Sequence, residues 1–195
     1  QGAVRLLTSF ASRELIDEFV PRLLSGQYAA TMCLTEPQAG SSLSDICTEA
    51  VLREKSIEKA DCYWIQGQKI FISAGDHDVT ENIVHLVLAK IKGSSKGTKG
   101  ISLFAVPKQR NNTDGNLVSN DVTSIGLFAK MGQHSTPALH LAFGAKDDCF
   151  GYLIGEEGKG LVYMFQLMNT ARLGVGLAGT YIASAAYYAS LKYAK

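Results

Sequence analysis

From Gln27 to Gly155 the chain is a succession of short apolar runs, each stopped by Gly, Pro, Asn, Asp or Ser, and no helical period lies between them. This pattern constrains the fold more than any single residue does. Short strands joined by turns close as an antiparallel barrel or sandwich, whereas a parallel sheet would need helices as crossovers. The runs predict strands over Tyr28–Leu34, Ile46–Leu52, Ile83–Ile91, Ile101–Val106, Leu139–Phe143 and Tyr152–Ile154. Asp61–Ser73 predicts a hairpin, in which Tyr63, Trp64 and Ile65 lead to Gln66-Gly67 and Lys69, Ile70, Phe71 and Ile72 return. Gly93–Gly100 reads as a loop and Asn111–Gly115 as a turn.

On either side the period is helical. Leu15, Ile16, Phe19, Val20, Leu23 and Leu24 form a stripe within Ser9–Leu24, which Pro21 limits or divides and Ser25-Gly26 ends. After Glu156, the residues Leu161, Met164, Phe165, Met168, Arg172 and Val175 recur at spacings of three and four. Gly174, Gly176, Gly179, Ala183, Ala186 and Ala189 then give a small-residue face suited to close packing on another helix. The expected class is α+β: residues 1–26 close a helical domain, 27–155 form a β-barrel or sandwich, and 156–195 open a second helical domain. The chain begins at Gln1 and stops at Lys195 within a helical pattern, so it is expected to be a piece of a longer protein.

A hydrophobic fraction of 46% in 195 residues is enough for a sizeable core. A net charge of +1 without a Lys/Arg run gives nucleic acid no electrostatic footprint. No apolar run reaches membrane-spanning length. Cys33, Cys47, Cys62 and Cys149 form no Cys-x-x-Cys and have no His at zinc-ligand spacing, which predicts free thiols in a reducing compartment.

The polar chemistry gathers in Met32-Cys33-Leu34-Thr35-Glu36-Pro37-Gln38-Ala39-Gly40-Ser41-Ser42. An apolar strand stops at Thr35, and a Pro and a Gly turn the backbone. Hydroxyls and backbone N–H groups at the mouth of a sheet can hold an anion or the polar edge of a planar cofactor; an ordinary strand exit has the same composition. Phe71 and Ser73 share a face by the two-residue period of a strand, as Asn169 and Arg172 do by the three-residue spacing of a helix. His85 and His140 lie in apolar strands, where a hydrogen-bonded core imidazole outweighs a catalytic one. No nucleophile elbow, Walker loop or dinucleotide fingerprint appears.

These stretches resemble the acyl-CoA dehydrogenases. The resemblance runs through Thr35-Glu36-Pro37 with Ala39-Gly40-Ser41, Ile65–Ser73, Gly97–Phe104, Lys130-Met131-Gly132, Tyr152–Gly160 and Met168–Arg172. Within the family the chain is most similar to the large bacterial-type members, which include the 3-methylmercaptopropionyl-CoA dehydrogenases. The resemblance implies FAD as cofactor, contacted by Met32, Leu34, Thr35, Gly40, Ser41, Phe71, Ile72 and Ser73. It implies an acyl-CoA substrate contacted by Ser41, Asn169 and Arg172. The parent would oxidise the Cα–Cβ bond to a trans-2-enoyl-CoA and pass electrons to an electron-transferring flavoprotein. It would be a homodimer or tetramer, in the cytoplasm or, in a eukaryote, the mitochondrial matrix.

The family commonly has Trp at Phe71, Thr at Ser73 and Asp at Ser42. Some members carry the catalytic base immediately before the helix arginine, where this chain has Ala171, and the others carry it far downstream. No catalytic residue is therefore expected here, and Glu36, turned away by Pro37, is not one. Two further readings stay open. One is an acyl-CoA oxidase of the same fold; the other is a non-catalytic flavin- or DNA-binding relative of the alkylation-response type.

Overall fold

The computed structural model describes residues 1–55, 60–112 and 114–195. Among them are helices α1 (Gly2–Phe10), α2 (Arg13–Ser25) and α3 (Gly160–Ala194). The strands between are β1 (Tyr28–Cys33), β2 (Glu49–Glu54), β3 (Cys62–Ser73), β4 (Asn82–Ile91), β5 (Ile101–Pro107), β6 (Gln109–Asn111), β7 (Leu117–Ser119), β8 (Val122–Leu127), β9 (Ala138–Phe143) and β10 (Phe150–Ile154). Thr113, within the expected turn at Asn111–Gly115, lies outside the described residues; the turn joins β6 to β7.

The β-segment is mostly antiparallel and closes on itself. β2 pairs with β3, β3 with β10, β10 with β5 and β5 with β4, all antiparallel, and β4 returns to β2 in parallel. A ring of five strands cannot alternate direction all the way round, so one parallel step is forced by parity. The expected antiparallel barrel or sandwich holds for most of the pairs; the other parallel pair is β1 with β4, from Tyr28↔Asn82 to Cys33↔Val87. β1 and β2 thus both pair with β4, β1 along Asn82–Val87 and β2 at Lys90 and Ile91. The polar stretch that follows β1 is the chain's excursion between them.

The expected hairpin over Asp61–Ser73 is instead one 12-residue strand. Its first half pairs with β2 and β10, and from Gly67 onward it pairs with β9, which in turn carries β8. Gly67 marks the change-over through a close approach: a Cβ there would stand 2.4 Å from Thr48 Oγ1 and 2.7 Å from Thr48 Cα. The Gln66-Gly67 pair resembles a turn because a glycine required by crowding and one required by a turn read alike.

β4 explains the two cores. Val84, Leu86 and Leu88 face a cluster with Leu6, Leu7, Leu15, Phe19, Leu103 and Met164, under the helices. Val87 and Ala89 belong to a second cluster with Tyr63, Ile65, Phe104, Val106, Leu141 and Phe143. A strand buried on both faces must be a continuous apolar run, as its sequence is.

Of the helix or two short ones expected over Ser9–Leu24 the fold has two, but the break falls at Ala11-Ser12 and not at Pro21, which lies inside α2. Ser12 caps α2, its Oγ accepting from Leu15 N at 3.4 Å, and Gly26 ends it with a φ of +80°. Ser12→Ala is expected to cost about 1 kcal/mol, seen as a small shift of the urea midpoint with an unchanged slope. α3 runs for 35 residues, but only Gly160, Tyr163 and Met164 are buried. Its expected small-residue face meets no partner among the described residues, and every residue from Ala171 onward is exposed. No described helix is long and apolar enough to cross a membrane.

Candidate functional site

The loop after β1 is held by a buried ion pair. Lys69, 0% exposed on β3, places its Nζ 2.7 Å from Glu36 Oε1 and donates to Leu34 O at 3.0 Å. Glu36 Oε1 also accepts from Thr48 Oγ1 at 2.6 Å and Thr48 N at 3.1 Å. Its Oε2 accepts from Cys47 N at 2.6 Å and Gln38 Nε2 at 2.7 Å. Burial alone would raise the Glu36 carboxyl, but the Lys69 ammonium and these donors outweigh it and hold it below its ordinary value. Both oxygens are fully engaged inside the fold, which rules Glu36 out as a base. Sequence reasoning misses Lys69, because a lysine in a strand reads as solvated and only its buried partner reveals otherwise.

Glu36-Pro37-Gln38-Ala39 is a tight turn with Pro second, closed by Glu36 N to Ala39 O at 2.9 Å and Ala39 N to Glu36 O at 3.1 Å. Gly40 and Ser41 follow it on the surface. Ser42, where the family commonly has Asp, donates from Oγ to Asp45 Oδ2 at 2.6 Å, so a carboxylate still borders that position. Hydrogen bonds from Ser42 and then Ser44 hold the exposed Asp45 carboxyl below its ordinary value.

Thr35 is tied directly to the second stretch, its carbonyl accepting from Ile70 N at 2.9 Å. Immediately beyond, the β3–β9 register shifts between Lys69 and Ile72, and Phe71 adopts a φ of +59°. That conformation costs a bulky residue on the order of 1–3 kcal/mol. It leaves the Phe71 ring 57% exposed, with Ser73 also outward, while Ile72 is 2% exposed and packs in the second core. Leu34 and Met32 pack against the first core.

Met32 also lines a cleft of about 350 Å³ with Tyr28, Thr31, Leu23, Gly2, Leu167, Thr170 and Ala171, between β1 and the helices. Asn169 and Arg172 do share a face, Arg172 Nη1 donating to Asn169 Oδ1 at 3.1 Å. They line a separate shallow groove along α3 with Leu173, Gly176, Leu177 and Thr180, so this chain does not bring them together with the loop residues.

Two histidines and one thiol near the loop are held by the fold. His85 is 0% exposed, with Nδ1 2.7 Å from Thr31 Oγ1, and His140 Nε2 donates to Gln68 Oε1 at 2.9 Å. Burial pushes the Cys33 thiol up to about 12, which removes it as a nucleophile.

The barrel extends one of its strands into a flap that exposes a strained aromatic, and the chain belongs to the acyl-CoA dehydrogenase family. The family model for the acyl-CoA dehydrogenase middle domain matches residues 31–145, more than half of the chain. A butyryl-CoA dehydrogenase of Syntrophomonas wolfei is 43% identical over 200 residues, covering 100% of this chain and 32% of its own length. The 3-methylmercaptopropionyl-CoA dehydrogenase of Ruegeria pomeroyi is 40% identical over 195 residues, with the same coverage of 100% and 32%. Among solved structures, Caenorhabditis elegans ACDH-11 in complex with C11-CoA superposes with a TM-score of 0.68 at 31% identity, over 86% of this chain and 28% of that one. The chain spans about a third of the length of the curated relatives it matches.

Proposed function

We propose that this chain is the part of an acyl-CoA dehydrogenase that presents FAD and the acyl thioester to each other. The observation that carries the reading is the Ile70 N to Thr35 O bond of 2.9 Å, which fixes the hydroxyl-bearing loop against the exposed Phe71 bulge. The residues fit a flavin: Phe71 offers an exposed aromatic face, Ser73 an exposed hydroxyl two residues on, and Thr35 a hydroxyl on the loop bonded to Ile70, with Gly40 and Ser41 on the surface beyond the turn. When bound, FAD supplies acceptance of a hydride from the thioester's Cβ. What this chain's own residues do is orient. Thr35 and Ser73 hydrogen-bond the polar ring edge, Phe71 walls the ring, and Ser41 meets the thioester side of the substrate. The cleft bordered by Met32, Thr170 and Ala171 takes the acyl chain, and Asn169 and Arg172 take the CoA portion. By likeness to the family, whose members carry the base either at the position of Ala171 or far downstream, the α-proton would go to a carboxylate outside this chain.

Electron-transferring flavoprotein is the proposed acceptor, and a homodimer or tetramer the proposed assembly. The near-neutral charge favours this over the DNA-binding relative, and hydrogen peroxide release by the full-length protein would identify an oxidase instead. The test is a visible absorption titration of the full-length protein with FAD and then a CoA thioester. The expected result is a perturbed flavin band that responds to the thioester, with Phe71→Ala weakening FAD roughly tenfold. Parent-like FAD binding in a Phe71→Ala, Ser73→Ala double variant would remove these residues from the site.

A further inference from the structure

Phe71 cannot hold its own ring in place. It lies where the β3–β9 ladder slips, its backbone is left-handed, and its ring is 57% exposed and outside both cores. The ring rests on Phe128, with centroids 4.5 Å apart and planes tilted by 40°. Phe128 follows directly on β8, is half-buried, and is anchored by its backbone N donating to Ala138 O at 2.9 Å. Phe128 is the ring contact that Phe71 makes among the described residues, and the flanking Leu127 and Met131 are 71% and fully exposed.

We propose that Phe128 is a positioning residue for the flavin, holding the Phe71 ring in the orientation that presents its face to the isoalloxazine. The proposal rests on the flavin reading given above. An exposed phenyl ring on a strained backbone would otherwise sample several rotamers, and a wall that must be ordered on binding lowers affinity. Phe128 supplies that order beforehand through a tilted aromatic contact, which an aliphatic side chain of similar size cannot reproduce.

The test uses the full-length protein carrying this chain, stripped of flavin and titrated with FAD while flavin fluorescence and the visible band are followed. Thermal midpoints of the apoproteins are measured in parallel. Phe128→Tyr is expected to match the parent. Phe128→Leu is expected to weaken FAD about three- to tenfold, with an unchanged apoprotein midpoint. Parent-like binding by Phe128→Leu, while Phe71→Ala is weakened, overturns this proposal and leaves the flavin reading standing. Parent-like binding by Phe71→Ala as well overturns both. Equal weakening by the Leu and Tyr variants, or weakening accompanied by a lowered apoprotein midpoint, makes Phe128 a packing residue and overturns the proposal.

Discussion

Replacing Lys69 by methionine is expected to lower the unfolding free energy by about 3–5 kcal/mol, a large share of the roughly 5–15 kcal/mol that stabilises a typical domain. Methionine fills the volume but leaves the Glu36 carboxylate, 3% exposed, without its counter-charge, and strips Leu34 O of its donor. The hydrogen bonds from Thr48, Cys47 and Gln38 stay, so the carboxyl keeps its donors and loses only the cation. A second change, Glu36→Gln, removes the stranded charge but sets an amide NH2 against either the Thr48 or the Cys47 backbone donor, so the double variant is expected to recover little of the loss. Urea titrations of the four proteins give the coupling. If Lys69→Met lies within about 1 kcal/mol of the parent, the ion pair does not hold the loop.

Acid should weaken the fold well before its carboxylates titrate, because of His85. Burial lowers its pKa from 6.5 to about 3, so the folded protein refuses a proton that the unfolded chain accepts. Below pH 6.5 the unfolded state then binds more protons, and stability falls as pH falls, until the folded imidazole itself titrates near 3. Between pH 6.5 and 4.5, the ordinary value of a Glu such as Glu36, this group alone is expected to remove about 2–3 kcal/mol. Below 4.5 the loss of Glu36 ionisation adds to it. Nδ1 shares a hydrogen bond of 2.7 Å with Thr31 Oγ1, Nε2 has no polar partner among the described residues, and the ring stands edge-on to Phe143, 5.6 Å away at 85°. A His85→Phe variant should show a flat stability profile across that window in denaturant titrations. A slope equal to the parent's would mean that another group takes up the proton.

The residues that sit near the loop are legible in the sequence by type and only partly by place. The alternation that puts Phe71 and Ser73 on one face agrees with their shared exposure, yet the bulge that presents Phe71 has no signature, because its positive φ falls on a residue that rarely adopts one. Pro37 alone argues against Glu36 in the sequence; the stronger reason, five donors around its oxygens, depends on Thr48, Cys47 and Lys69 from other parts of the chain. β8 escapes a reading by pattern since its exposed face, with Ile125 and Leu127 outward, carries little burial signal. The parallel pairing of β1 with β4 joins residues more than fifty apart, and no local pattern encodes a partner that distant. Strands that are buried on both faces, β4 and β5, are read almost to the residue, since burial writes itself into composition.

One strand belongs to two structures at once. β3 closes the barrel with its first half and supports β9 and β8 with its second, and the bend at Gly67 is pressed against Thr48, itself a hydrogen-bond donor to Glu36. The outer flap that carries Phe128 and the loop that carries Thr35 therefore have no independent opening route: loosening either one pulls on the same backbone. In exchange experiments the arrangement is expected to behave as a single unit, with amides on β3 and β9 opening together with those of the barrel. A ligand that tightens one wall is therefore expected to steady the other, slowing exchange on β9 as well as at the loop.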